Sequence, residues 1–185
     1  MRILRLVPAV GVGLLLSTGV ARGQGTSDPL HALSLIVGVW DVDDTYRAAS
    51  GTESREVGVR TCAPALLTRY IECVTRARNA AGREREYRWF LTFNAPARRY
   101  ELLAMFSNTS LMLRQTIRID STGLVWNIRS PASVNDDGVE QWSGAQLRFE
   151  GTDRAVWTGF RNFDTMPITE WGPSTRETWV RRRNP

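Results

Sequence analysis

One histidine, two cysteines and a scatter of carboxylates are the residues of this 185-residue chain whose types could do chemistry, and their spacing limits what that chemistry can be. His31 stands alone, so a serine-type triad has no other base to draw on, and "WSGAQ" around Ser143 lacks the flanking glycines of a nucleophile elbow. Metal centres need clustered histidine, cysteine or carboxylate ligands, which the spacing does not supply, so neither a metal nor another cofactor is expected. All 24 basic residues are arginine, which removes Schiff-base chemistry and the phosphate-loop lysine. Acid–base work by carboxylates is what remains. Asp41, Asp43, Asp44, Glu72 and Glu101 fall on or near alternating segments, and Asp44 shares parity with Trp40, Val42 and Tyr46. An inward Asp44 would need a partner such as an inward arginine, serving either ligand recognition or plain structural satisfaction.

The elements that must position these residues begin after residue 23. "MRILRLVPAVGVGLLLSTGVARG" has the parts of a secretory signal: Arg2 and Arg5, an apolar run, and small residues at Ala21 and Gly23 that place cleavage before Gln24. The run is too short and glycine-rich for a span of about 20 apolar residues, and no cysteine follows it to carry a lipid anchor, so no stable membrane anchor is expected. Three arginines and no acid lie in this leader, so the remaining 21 arginines face 19 acids, a weak footing for nucleic-acid binding. Export to the bacterial periplasm or beyond allows Cys62 and Cys73, the only cysteines, to form a disulfide. A turn centred on Pro64 would put them out of register, so the pairing requires a wider loop or a bulge.

Residues 24–28 read as a linker, and "PLHALSLIVG" as a short helix capped by Asp28, opened by Pro29 and ended by Gly38. From there to residue 183 the chain shows no helical period. It shows about ten short alternating runs joined by turns, the pattern of one antiparallel all-β domain over residues 29–183. Tyr87, Trp89, Leu91 and Phe93 share one side of the fourth run; Leu111, Leu113, Ile117 and Ile119 share one side of the sixth; Leu124, Trp126 and Ile128 share one side of the seventh. One apolar and one wet face per strand predicts an up-and-down barrel in preference to a doubly covered sheet. "REREYRWF" reads as cross-strand ion pairs on an exposed face rather than a nucleic-acid surface, because Glu84 and Glu86 dilute its charge.

A short helix, then Gly38-x-Trp40 on the first strand, then about nine more strands in hairpin order, resembles the calycin group of barrels, and within it the uncharacterised secreted bacterial lipocalin-like proteins. The resemblance implies that Trp40 plugs the closed end of the barrel and that an arginine of the last strand packs across its ring. "TRETWVRRR" offers Arg176 or Arg181 for that role. It implies too that Cys62 and Cys73 lie around the second and third strands. A haem-binding branch of the group uses a histidine late in the barrel, and none stands there in this sequence.

A barrel of about ten strands is wider than the eight whose side chains just fill the interior, so a cavity is expected. The seven tryptophans make it aromatic, and Tyr46, Trp89, Tyr100, Phe106, Trp126, Trp157 and Arg161 are its candidate lining. The expected partner is a small apolar or aromatic molecule with one polar end, bound by a monomer or dimer. A barrel enzyme of isomerase or cyclase type using an inward carboxylate or tyrosine, and a ligand-free interaction module, are the alternatives.

Overall fold

The structure, a computed structural model, describes residues 28–47, 52–131, 133–134, 140–162 and 173–183. The leader, the linker through residue 27 and the turn at 135–138 lie outside these residues. Asp28 caps a 3₁₀ helix over Pro29–Ile36, its carboxylate accepting from the Leu30 N–H at 2.9 Å. The helix closes before the glycine does its work: the Val37 N–H donates to the Ser34 carbonyl, and Gly38 is already the first residue of a strand.

Eleven strands follow among the described residues: β1 Gly38–Arg47, β2 Glu53–Ala65, β3 Tyr70–Asn79, β4 Glu84–Asn94, β5 Arg99–Phe106, β6 Met112–Ile119, β7 Val125–Arg129, β8 Ser133–Val134, β9 Glu140–Phe149, β10 Arg154–Asn162 and β11 Pro173–Arg181. All pairings are antiparallel. Consecutive strands pair from β1 to β7, β9 lies beside β7, and β9, β10 and β11 follow in order; the two-residue β8 pairs only with the start of β9. β11 then pairs with β1, Trp40 opposite Arg181 through Tyr46 opposite Thr175, which closes a ten-strand barrel. Closure leaves no long edge for another chain to pair with.

Parity along each strand sorts the side chains as the alternation predicts. Tyr87, Trp89 and Leu91 of β4, Leu113 and Ile117 of β6, and Trp126 and Ile128 of β7 are buried, while Arg88, Arg114, Arg118 and Arg129 stay exposed. Leu124 departs from this: it sits in the turn before β7 and is 38% exposed.

Cys62 and Cys73 form a disulfide and lie directly opposite each other in the β2–β3 ladder. The wider loop makes this register possible. Pro64 does not turn the chain but stays in β2 opposite Ile71, beyond the last β1–β2 pair, where its missing N–H costs nothing. The reversal falls instead on Leu66, Leu67 and Thr68, all with positive φ.

The closed end is built around Trp40, which is fully buried and donates its indole N–H to the Ile36 carbonyl at 2.8 Å. The Arg181 guanidinium lies 4.0 Å above the ring centroid. Its nitrogens donate to the carbonyls of Val37 (2.6 Å), Leu35 (2.8 Å) and Thr152 (2.7 Å), so one side chain ties the helix, β1 and the β9–β10 turn together. Arg176 cannot share this role, because it lies on the outward parity of β11 and is exposed. Gly38 has φ +138°, and a Cβ there would stand 2.2 Å from Arg181 Nη1. Glycine is therefore required both by the backbone conformation and by the arginine that lies against it.

Candidate functional site

At the other end, a cavity of about 760 Å³ opens between the mouths of the strands. Its walls bring together Tyr46, Trp89, Phe106 and Trp157 from the expected lining. Trp89 and Trp157 are in contact with each other in this lining, their ring centroids 4.8 Å apart. The structure does not bring Tyr100 and Trp126 there. Both point inward, but at the closed end, where Tyr100 donates to the Pro29 carbonyl (2.9 Å) and Trp126 to the Gly123 carbonyl (3.1 Å) while packing against Phe149. Parity decides inside or outside but not height along the axis, which is why these two were misplaced. The Arg161 backbone pairs with Ser143, and its side chain lies outside what is described.

Beneath the aromatic walls runs a row of acids. The register sets Asp44 of β1 opposite Glu177 of β11 on one side and Glu56 of β2 on the other, so three carboxylates stand side by side on three neighbouring strands. Two arginines answer them. Arg60, fully buried, pairs with Glu177 at 2.9 Å, donates to Thr75 (2.7 Å) and Tyr87 (3.0 Å), and is sandwiched between the rings of Trp89 and Trp179 at 4.1 and 4.0 Å. Glu177 also accepts from the Tyr87 hydroxyl (2.8 Å) and the Trp179 indole (2.7 Å). Arg85 reaches both Asp44 (3.1 Å) and Glu56 (2.7 Å).

Asp44 is thus the carboxylate with least support. It is 3% exposed, and its Oδ1 has no hydrogen-bond partner. Burial, with the Glu177 charge adding to it, raises its pKa to about 7. Burial likewise drives the Tyr87 phenol upward, which keeps it a neutral donor to Glu177. On the opposite wall Gln115 is 5% exposed and lines the same cavity, and no group among the described residues hydrogen-bonds its amide.

The remaining candidate acids lie outside the barrel. Asp41 pairs with Arg182, Asp43 with Arg55 and Glu72 with Arg88. Glu101 faces out as well: burial, the largest single effect, pushes its pKa up, but hydrogen bonds from Arg114, Arg99 and Asn94 together outweigh it and hold the pKa below the usual range. Glu84, Glu86 and Arg88 of "REREYRWF" form the expected exterior ion pairs, whereas Arg85 turns inward. His31 is exposed on the helix, and no three potential metal ligands among the described residues stand close enough to hold an ion.

Sequence reasoning anticipated an inward Asp44 with an arginine but missed Arg60, Glu177 and Gln115. For Arg60 the hydrophobic pattern points the wrong way, since Val57 and Val59 of β2 look like the buried face and are the outward one. A usable signal did exist. Directly paired cysteines share a face, so a cystine turned inward sends Arg60, two residues before Cys62, inward too.

No protein-family model matches this chain, and no curated protein matches its sequence. Among solved structures, the crystal structure of Rv2717c from M. tuberculosis aligns with a TM-score of 0.67 at 14% identity, covering 85% of this chain and 99% of that one. The fold is that of the lipocalin-like barrels. The S-type phycobiliprotein lyase CPES from Guillardia theta aligns with a TM-score of 0.57 at 9% identity, over 87% of this lipocalin-like chain and 96% of its own. Identities this low establish a common architecture and leave the chemistry to the residues of each cavity.

Proposed function

We propose that this lipocalin-like barrel is an exported binding protein that holds one small molecule, with an apolar or aromatic body and one polar end, in the cavity at its open end. The observation that carries the reading is the cavity itself: about 760 Å³, walled on one side by Trp89, Trp157, Phe106 and Tyr46 and on another by the polar groups Asp44, Glu56, Arg85 and Glu177, with Gln115 facing them. That volume suits a ligand of drug-like size, and a few polar groups among aromatics are how such sites fix orientation. Export rests on the leader sequence and is supported by the disulfide.

A second reading, a barrel isomerase or cyclase, is favoured by one feature. An acid with a pKa near 7 in a cavity is suited to proton transfer, and Asp44 has that property. Protein purified from its own cell envelope and examined by native mass spectrometry should carry a co-purifying mass, and apolar aromatic probes should change its tryptophan emission saturably. A compound recovered chemically unchanged after prolonged incubation supports binding; turnover that disappears in Asp44→Asn supports the enzyme. No co-purifying mass together with unresponsive emission overturns both and leaves a barrel that only presents its loops.

A further inference from the structure

We propose that the polar end of the ligand is a protonated nitrogen, an aliphatic amine or amidine, that seats against Asp44 and Glu56. The proposal deepens the small-molecule reading of the same cavity and rests on it. Its basis is the charge count of the interior row and the acceptors it leaves without donors. The interior row presents three carboxylates, Glu177, Asp44 and Glu56, to two guanidiniums, Arg60 and Arg85. Arg60 is committed to Glu177 and to its neighbours Thr75 and Tyr87, so the single Arg85 is left to serve both Asp44 and Glu56. Within the buried row one negative charge is in excess, on the Asp44–Glu56 side; Arg83 and Glu84, which line the same cavity, are exposed, and Glu84 is paired with Arg78.

The unpartnered acceptors point to the same chemistry. Asp44 Oδ1 and Glu56 Oε2 are buried acceptors with no hydrogen-bond donor, while Arg60 Nη1 and Arg85 Nε are buried donors with no acceptor; buried polar atoms without partners cost free energy, and the charge count of the row selects a ligand donor over an acceptor. Across the cavity the Gln115 amide supplies a carbonyl and an N–H₂ for polar groups elsewhere on the ligand. The rings of Tyr87, Trp89, Trp157 and Phe106 form the wall beside these groups. Such faces attract an ammonium or amidinium as they already attract Arg60. An anionic ligand would have to compete with Asp44 and Glu56 for Arg85 and would be left with the exposed Arg83; a neutral one would leave the excess charge of the row in place.

The charged and titratable groups around Asp44 are Glu177 on β11, Glu56 and Arg60 on β2, Arg85 and Tyr87 on β4, and Tyr46 on its own strand, with Arg83 and Glu84 lining the same cavity. A cation seated there favours the ionised carboxylate, so binding near pH 6 releases a proton.

Three probes of one shape test this: 1-naphthylmethylamine, 1-naphthalenemethanol and 1-naphthoate, titrated by calorimetry and tryptophan emission into the mature protein. The amine should bind at least tenfold tighter than the alcohol at pH 7.5, with the carboxylate weakest. At pH 6 the amine's binding enthalpy should vary with the ionisation enthalpy of the buffer, and the alcohol's should not. In Asp44→Asn the gap between amine and alcohol should close. If that variant does not fold, Glu56→Gln should narrow the gap in its place. Alcohol and amine of equal affinity, a preference for the carboxylate, or a gap that survives substitution overturns the cationic ligand while leaving a binding cavity. Silence from all three probes overturns the cavity reading and this one with it.

Discussion

Asp44 shows how much of this site is decided one side chain at a time. Its ordinary carboxylate pKa lies near 4, and in the folded barrel burial and Glu177 raise it to about 7. A folded-state pKa above the unfolded one means that the folded protein holds the proton more tightly. The stability contributed by this group is therefore fully present below about pH 4 and is lost as pH rises toward 7. Asp44→Asn removes the ionisation. The difference in melting temperature between variant and wild type should favour the variant at pH 8 and shrink or reverse at pH 4. A difference that stays constant between those pH values would show that Asp44 titrates normally. Arg60 is the contrasting case: its charge is matched by Glu177 and covered on both faces by indole rings, which offsets its burial although Nη1 has no hydrogen-bond partner.

At the scale of elements, the closed end is held by one junction. Arg181 leaves β11, crosses the ring of Trp40 on β1 and caps the carbonyls with which the helix ends, and it can do so only because residue 38 has no side chain. Gly38→Ala should cost about 1–3 kcal/mol, since φ +138° is strained for any L side chain and the new methyl group overlaps Nη1. Adding Arg181→Ala should restore the steric part and not the conformational part, so the two substitutions should be less than additive in chemical denaturation. Full additivity would mean that the glycine and the arginine are independent. The β2–β3 hairpin works differently: its disulfide joins two directly opposed residues and sets the face that carries Arg60 into the interior.

The whole molecule depends on closure. β11 pairs with β10 on one side and β1 on the other, and it carries Glu177, Trp179 and Arg181 to the row of acids, the core and the closed end respectively. A chain ending after Asn162 should lack a cooperative melting transition by circular dichroism and should aggregate, because two strand edges and the Trp40 ring would be exposed together. A cooperative transition near the wild-type temperature would show that the other strands form a stable sheet without the last one.

The amino-acid sequence by itself determined the ten strands of the barrel, though not the two-residue β8, their boundaries to within a few residues, their antiparallel order, and the parity of Asp44, Trp89 and Trp157. These are local properties: a period of two and the turn residues between runs express themselves wherever the chain lies. Only the tertiary structure decided which arginine covers Trp40, that Tyr100 and Trp126 belong to the closed end rather than the cavity, and that Glu177, Asp44 and Glu56 stand in one row with Arg60 beneath them. Those facts depend on height along the barrel axis and on neighbours brought together across ladders, from residues as far apart as Asp44 and Glu177. Register between strands is set by the closed ring as a whole, and no short stretch of the chain carries it.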